Sequence, residues 1–203
     1  MTNVEEIEAS IDGRAARRER NITAVLDVVL EMFAEGELFP TIEQVSKRSG
    51  VSVRSVYRYF ADPAELLDAA ITRHREEAAP LAHLSSIGEG PLEARVDAFV
   101  AMRLRLYDGV GAAYRATVHN AANHQRLRDE LARNRNDFLA QFERQFAREL
   151  GARRGSDRDA VVAAGDVLTQ LDSIDFLRRH RQLSVAEATN TLRTGLLGLL
   201  KGA

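Results

Sequence analysis

The chain has 203 residues with a formal net charge of −2, and 45% of them are hydrophobic while 29% are charged, which is the composition of a folded soluble domain. It contains no cysteine, so disulfides, thiolate catalysis and cysteine-bound zinc are excluded. No stretch approaches the roughly 18 apolar residues of a membrane span, and the start, MTNVEEIEAS, is too acidic and polar for a signal peptide, so we expect a cytoplasmic location and no membrane partner.

The first predicted element is a helix that follows a polar tail. Residues 1–13 are acidic and polar, and we expect a disordered N-terminal tail there. From about Arg14 to Ala34, apolar residues recur at three- and four-residue steps, which predicts an amphipathic helix; they are Ile22, Val25 or Leu26, Val29 and Phe33. The segment EGELFP then ends this helix.

Residues 41–60, TIEQVSKRSGVSVRSVYRYF, predict two short helices joined by a tight turn. Thr41 and Gln44 form a capping box, in which each side chain binds a backbone N–H at the helix start. Gly50 ends the first helix, because the chain must pass there through a left-handed conformation that glycine adopts at little cost. Ser52 can cap the second helix.

The second of these helices carries apolar residues on one face and basic and tyrosine residues on the others. Val56 and Phe60 are four residues apart and therefore point the same way. Between Gln44 and Phe60 there are four basic residues and no acid; the basic residues are Lys47, Arg48, Arg54 and Arg58. This pattern predicts a helix-turn-helix whose second helix enters the DNA major groove.

A further helix begins at Asp62-Pro63-Ala64-Glu65, with Asp as the N-cap and Pro at the first position. Its apolar residues Leu66, Leu67, Ala70 and Ile71 would close the core of a small head. The loop SSIGEGP at 85–91 then separates this head from a helical body.

These residues, with the Tyr-x-Tyr-Phe end of the second helix and the Asp-capped helix after it, resemble the TetR family of one-component transcriptional regulators over roughly residues 17–71. The resemblance implies an all-α fold with an N-terminal three-helix head containing the helix-turn-helix, followed by a helical ligand-binding and dimerisation body. We therefore expect a DNA-binding domain over 14–75 and a regulatory domain over 76–203.

The resemblance also implies which residues contact DNA. Val53, Arg54 and Ser55 would meet base edges or nearby backbone, and Arg58 either bases or phosphates. Phosphate contacts are expected from the helix starts and from the tyrosine and basic side chains, namely Thr41, Lys47, Arg48, Ser52, Tyr57 and Tyr59. The alternative for the two tyrosines is that they only pack on neighbouring helices.

Two positions depart from the family pattern. Position 54 is commonly glycine, and arginine there can bind guanine N7 and O6 in a bidentate way, so we expect Arg54 to read a guanine. Pro63 stands where many relatives have a lysine that touches the DNA backbone. Lys47, Arg48 or the cluster Arg14–Arg20 could substitute for that contact.

The body is predicted to be entirely helical, over Leu92–Leu106, Asn120–Leu150, Gly155 to about Arg181, and a last helix capped by Ser184. In the family the last two helices form a homodimer. The stripe Val185, Thr189, Leu192, Leu196 and Leu199 fits this role, and Gly195 and Gly198 would allow close approach; packing within one subunit is the alternative. A two-fold dimer implies a palindromic double-stranded DNA operator.

The central helices would enclose a pocket for an unknown small-molecule effector. Arg103 lies within the apolar row of Leu92, Val96, Phe99 and Leu106, and a buried arginine needs a partner. That partner is Asp172, Asp175 or an anionic ligand. Further pocket candidates are Met102, Tyr114, His119, Asn123, Phe138, Phe142 and Phe176. The alternative is that the phenylalanines belong to the core and that the polar residues face solvent.

We find no catalytic constellation, metal site or cofactor motif in the sequence. His119 and His124 are about 140° apart on a helix and do not share a face, and GVGAAY at 109–114 lacks the last glycine of a dinucleotide fingerprint. The sequence therefore predicts no enzyme but a transcriptional regulator, and the family resemblance implies a repressor released by its effector. The alternative is a helical protein–protein adaptor that does not bind DNA.

Overall fold

The computed structural model describes the backbone of residues 2–201 and the side chains of residues 13–201. Over this range there are no strands, which confirms the all-α prediction. No helix in the described part of the chain is long and apolar enough to cross a membrane. The helices are α1 (Thr2–Ala34), α2 (Ile42–Ser49), α3 (Val53–Tyr59), α4 (Pro63–Ala78), α5 (Leu92–Ala121), α6 (Gln125–Gln145), α7 (Ala147–Gly151), α8 (Gly155–Thr169), α9 (Leu171–Asp175) and α10 (Val185–Lys201).

The head consists of α1, α2 and α3 packed around a small apolar core that α4 completes. Its buried residues come from each of the four helices at the predicted positions, with relative exposures of 7% or less; they are Val25, Val29, Phe33, Ile42, Val45, Val56, Phe60, Leu66, Leu67, Ala70 and Ile71. Burial of these side chains fixes α3 across α1 and α2 and leaves its remaining surface in solvent.

The N-terminal segment differs from its prediction. We expected a disordered tail over residues 1–13, whereas α1 begins at Thr2 and runs without a break for 33 residues. Val4, Ile7 and Ile11 are spaced by three and four residues, a helical period that the acidic composition concealed. The helix therefore extends about 15 Å or more beyond the start that the sequence predicted.

Helix α4 joins the head to the body. It continues past the predicted boundary at residues 75 and 76, and a 3₁₀ turn, Ala79–Ala82, prolongs it. A second connection lies at the α1–α2 loop, where buried Asn120 of α5 donates a hydrogen bond to the carbonyl of Leu38 at 2.5 Å. Beside it, Phe39 and His124 stack with their rings 6.2 Å apart. The head thus contacts the body at the α1–α2 loop as well as through α4, and α1 itself packs against α5.

Helix α5 is longer than predicted, because its two glycines do not interrupt it. A Cβ atom at Gly109 would lie 2.4 Å from the Cδ1 atom of Leu81, so this glycine lets the 3₁₀ turn after α4 approach α5 closely. The predicted break between Leu106 and Asn120 is therefore absent, and α6 begins at Gln125.

Helices α5, α8 and α10 pack together at the far end of the body. Ala188, Leu192, Leu196 and Leu200 are buried there within one subunit. Of the stripe predicted for dimerisation, Leu192 and Leu196 belong to this core, Thr189 and Leu199 are partly buried, and Val185 is 45% exposed. A Cβ atom at Gly195 would lie 3.4 Å from the Leu168 side chain of α8, whereas a Cβ atom at Gly198 would have no neighbour within 4 Å.

The helix predicted from Gly155 to about Arg181 is divided in two. Gln170 adopts an extended conformation (φ −69°, ψ 151°) between α8 and α9. Its side-chain amide donates to Asp166 at 2.5 Å and to the carbonyl of Arg135 at 3.3 Å. After α9, a π-helical turn, Phe176–His180, leads to α10. Ser184 caps α10 as predicted, since its hydroxyl accepts from the N–H of Glu187 at 3.2 Å.

Candidate functional site

The helix-turn-helix forms through the local signals that the sequence contains. The hydroxyl of Thr41 accepts from the N–H of Gln44 at 3.2 Å, and the Gln44 side chain accepts from the N–H of Thr41 at 2.7 Å. Gly50 has φ +70°, the left-handed conformation expected at the end of α2. Ser52 caps α3 by accepting from the N–H of Ser55 at 3.3 Å.

The outer surface of α3 is open to solvent. Tyr57 is 48% exposed and Val53 37%, and Arg54 and Arg58 are exposed beside them. Ser55 is half-buried and its hydroxyl accepts a hydrogen bond from that of Ser52 at 3.0 Å. This surface therefore presents two guanidinium groups, a phenol and a small apolar side chain on one short helix.

Tyr59 has a different position from Tyr57, because it lies half-buried against α1. Its hydroxyl oxygen accepts from the Asn21 amide at 3.2 Å and from Arg58 at 3.1 Å. These two bonds lower the pKa of the Tyr59 phenol, with Asn21 contributing most. Tyr59 thus connects α3 to α1, and only its hydroxyl hydrogen remains for an outside acceptor.

Among the basic residues of α2, Arg48 is bound to acids of α1. It makes a two-point ion pair with Glu35, at 2.5 and 2.7 Å, and lies 3.6 Å from Glu31. The guanidinium holds the pKa of Glu35 below its usual range. Arg48 consequently has less freedom to meet a phosphate than the sequence suggested, whereas Lys47 is exposed on the same helix.

A row of arginines on α1 continues the basic surface of α3. The guanidinium of Arg18 lies 5.5 Å from the centre of the Tyr59 ring, and that of Arg58 lies 5.2 Å from it. Arg14 is one helical turn before Arg18, and Arg17 is one turn before Asn21; both are exposed. Three arginines of α1 therefore project on the side where α1 meets the end of α3.

A cavity of about 370 Å³ lies in the body between α4, α5 and α6. Its apolar wall consists of Ile71, Leu106, Val110, Ala113, Phe138 and Leu171. Polar groups at its edge include Glu130, which is almost fully buried and bound by Arg75 at 2.5 Å and Arg133 at 2.7 Å. Other polar and charged side chains around it are His74, Glu76, Asn134, Asp137, Gln141 and Arg144. A volume of this size with an apolar wall is typical of a site for a small organic molecule.

The predicted ligand residues divide into three groups. Leu106, Tyr114 and Phe138 line the larger cavity. Tyr114, His119 and Asp172 line a smaller cavity of about 250 Å³, where the Tyr114 hydroxyl donates to Asp172 at 2.6 Å. The remaining residues line neither cavity: Phe99, Met102, Arg103 and Phe142 are buried in the core, while Asn123 and Phe176 are exposed.

Arg103 is buried as predicted, but its predicted carboxylate partners are wrong. Asp172 binds Tyr114 and Arg135, and Asp175 binds Tyr107 and Arg115. These carboxylates lie on α9, whereas Arg103 points towards α6. There its guanidinium donates to the Gln141 side chain at 2.6 Å and to the carbonyl of Phe138 at 3.0 Å.

Sequence reasoning missed the side of the larger cavity that α4 supplies. This side is lined by His74, Arg75, Ala78 and Ala79. The apolar residues predicted for this helix end at Ile71. Sequence reasoning also missed Gln141 and Glu130 on α6. The isolated acid at Glu130, three residues after Leu127 and next to Leu131 on an apolar face, was the available signal.

The described residues thus contain a helix-turn-helix with an open basic face in the head and a mostly apolar cavity in the body. No protein-family model matches the chain. The chain is 30% identical to the HTH-type transcriptional regulator TcmR of Streptomyces glaucescens over 152 residues, which are 72% of this chain and 65% of that protein. It therefore spans less than two thirds of the length of this relative.

The fold is also similar to a solved structure. A protein of Pseudomonas aeruginosa PAO1, described as a proposed transcriptional regulator, superposes with a TM-score of 0.60 over 94% of this chain and 93% of that chain. The two sequences are 17% identical, so this likeness shows the fold alone.

Proposed function

We propose that this protein is a TetR-family transcriptional regulator that binds a palindromic DNA operator as a homodimer in the cytoplasm. The observation that carries the proposal is the outer face of α3, where Arg54, Tyr57 and Arg58 are exposed on a helix whose opposite face is buried. A packing unit alone would not need two uncompensated guanidinium groups and a phenol in solvent. The similarity to a named regulator supports the same conclusion.

On DNA, α3 would lie in the major groove with its first turn at the base edges. Arg54 would bind a guanine, while Tyr57 and the start of α2 at Thr41 would bind phosphates. The arginines Arg14, Arg17 and Arg18 would follow the DNA backbone beside this groove. They would replace the lysine contact that Pro63 removes.

The homodimer would form through α8 and α10. Val167 on α8 is 64% exposed, the highest exposure among the large hydrophobic residues described, and Gly198 on α10 has open space around it. A second copy on this face would cover Val167 and bring small residues of both helices together. The resulting two-fold axis would place two α3 helices on successive turns of one DNA face.

The larger cavity would hold the effector, and repression released by that effector is the mode that the family resemblance implies. Helix α4 forms one wall of the cavity and is also part of the head core. A ligand that prefers the DNA-free spacing of the heads by about 3 kcal/mol would weaken operator binding more than a hundredfold.

The test is selection of genomic DNA by the purified protein. Fragments recovered at moderate salt should share a palindrome, and binding should weaken steeply as salt rises because phosphate contacts release counterions. The double variant Arg54→Ala, Arg58→Ala should recover none of these fragments. Absence of DNA binding by the wild-type protein even at low salt would refute the proposal and favour a protein–protein adaptor.

A further inference from the structure

Three arginines are buried in the described part of the body, and they differ in how their charge is balanced. Arg95 is 3% exposed and forms a two-point ion pair with Glu149. Arg153 is 6% exposed, lies 3.4 Å from Asp157, and binds the last carbonyls of α10. Arg103 is 1% exposed, and among the described residues no carboxylate forms an ion pair with it.

The atoms that contact Arg103 are polarisable but uncharged. Its guanidinium lies between two aromatic rings, 4.7 Å from the centre of Phe99 and 4.5 Å from that of Phe138. Its hydrogen-bond acceptors are the Gln141 amide, the carbonyl of Phe138 and the sulfur of Met102, and its Nε–H has no partner. Asp166 acts on the charge only from a distance, without an ion pair. Burial lowers the pKa of Arg103 to about 9, so the group still carries its charge at neutral pH. A buried cation without an anion is unfavourable by several kcal/mol.

Two side chains, Gln141 and Phe138, separate this cation from the larger cavity. Gln141 lines the cavity, accepts from Arg103 through Oε1, and donates through Nε2 to the carbonyl of Ala82 at 2.8 Å. Phe138, whose ring covers Arg103, lines the same cavity. Rotation of the Gln141 side chain would open a path from the cavity to the guanidinium.

We propose that the larger cavity takes a mostly apolar monocarboxylate, and that its carboxylate replaces the Gln141 amide as the partner of Arg103. A carboxylate is the stronger acceptor for a guanidinium, with two oxygens for its planar set of donors. The apolar wall formed by Leu106, Val110 and Phe138 would cover the rest of the molecule.

Replacement of the Gln141 amide by the ligand carboxylate would also affect the attachment of α4. Gln141 connects Arg103 to Ala82, which lies in the 3₁₀ turn that prolongs α4. Displacement of the Gln141 amide would break its bond to Ala82 and free the body end of α4. This second step rests on the proposed function, since it matters only if the head binds DNA; carboxylate binding itself does not depend on it.

The experiment measures thermal unfolding and calorimetric binding of the full-length protein without DNA, with octanoate and 4-phenylbutyrate as probes and their primary amides as matched neutral controls. Both carboxylates should raise the melting temperature, and the amides should bind at least tenfold more weakly. Equal binding of acids and amides, or no binding by either carboxylate, would overturn the proposal.

Four variants locate the anion. Arg103→Met should remove the difference between acid and amide, and Arg103→Lys, which keeps the charge, should retain part of it. Gln141→Ala should bind carboxylates more tightly, because the competing internal acceptor is gone. Arg144→Gln changes an exposed arginine at the edge of the same cavity and should bind as the wild type does. If Arg144→Gln abolished the preference for acids and Arg103→Met did not, the anion would lie at the edge and the proposal would be wrong.

A second measurement adds DNA fragments recovered by the wild-type protein. Octanoate should release the wild type from DNA but not Arg103→Met. Carboxylate binding without an effect on DNA would refute the transmission through Gln141 and leave the ligand class standing, so the two failures are distinguishable.

Discussion

At the scale of single residues, the two tyrosines of α3 illustrate how neighbouring side chains on one helix acquire different roles. Tyr57 is half exposed and its hydroxyl has no described partner, whereas the Tyr59 hydroxyl accepts two hydrogen bonds and joins α3 to α1. The difference follows from their angular positions relative to Val56 and Phe60, which set the buried face.

We expect the two tyrosine-to-phenylalanine variants to separate these roles. Tyr59→Phe should lower the free energy of unfolding by about 1 kcal/mol, because a hydrogen-bonded hydroxyl is lost. Tyr57→Phe should leave stability unchanged and weaken DNA binding equally for all sequences. Chemical denaturation and a binding titration measure the two effects. A loss of stability in Tyr57→Phe of the same size would contradict the assignment.

Arg54 is the residue for which a base-specific role is expected. Arg54→Ala should lose about 1–3 kcal/mol of discrimination at one base pair of the operator, because a bidentate contact to guanine is removed. The measurement compares affinities for operators substituted at each position in turn. Lys47→Ala is the matched control and should weaken all operators alike. If Arg54→Ala did the same, Arg54 would be a phosphate contact.

At the scale of elements, the caps and the apolar periods could be predicted from the sequence because they depend on residues at most four positions apart. The capping box at Thr41, the turn at Gly50 and the start of α4 are of this kind. The ion pair of Arg48 with Glu35 and the bonds of Arg103 to α6 join residues 13 to 38 positions apart. Such contacts depend on how helices cross, and no local pattern encodes that.

The length of α1 shows the reverse case, where composition misled. Its acidic start was assigned to a tail although Val4, Ile7 and Ile11 keep a helical spacing. In α5, the helix predicted to end at Leu106 continues through Gly109, which allows the close approach of Leu81. In α1 the periodicity of the apolar residues is a better guide than the acidic composition of the segment.

The arginine row on α1 has a measurable consequence for DNA binding. The triple variant Arg14→Ala, Arg17→Ala, Arg18→Ala should reduce the slope of log affinity against log salt by about 2 to 3 for each protomer, since each phosphate contact contributes about 0.9. Filter binding over a range of salt concentrations measures this slope. Arg20→Ala removes a single charge from the same helix and should reduce the slope by no more than about 0.9. An unchanged slope in the triple variant would exclude α1 from the interface.

At the scale of the whole molecule, the proposed dimer face of α8 and α10 would determine whether two heads can bind DNA together. Val167→Asp should produce a monomer, because a carboxylate would be buried without a partner in the dimer interface. It should also lose most of its affinity for a full palindrome. Sedimentation equilibrium and operator titration test both results.

The matched control is Val118→Asp, which changes a 40% exposed valine on α5, outside the α8–α10 face. It should remain a dimer. Monomers of wild-type protein at micromolar concentration, or a dimer in Val167→Asp, would show that this face is not the interface.

The hydrogen bond from Asn120 to the carbonyl of Leu38 joins the head to the body at the α1–α2 loop. This bond and the stacked pair Phe39–His124 hold the α1–α2 loop to the end of α5, and α1 and α4 also contact α5. If the proposed ligand freed the body end of α4, we expect the contact at Leu38 to persist and the head to rotate about it, so that a small displacement at the end of α4 would become an angular one. The tilt of α3, rather than its distance from the body, would then decide whether both halves of a dimer still match the pitch of DNA.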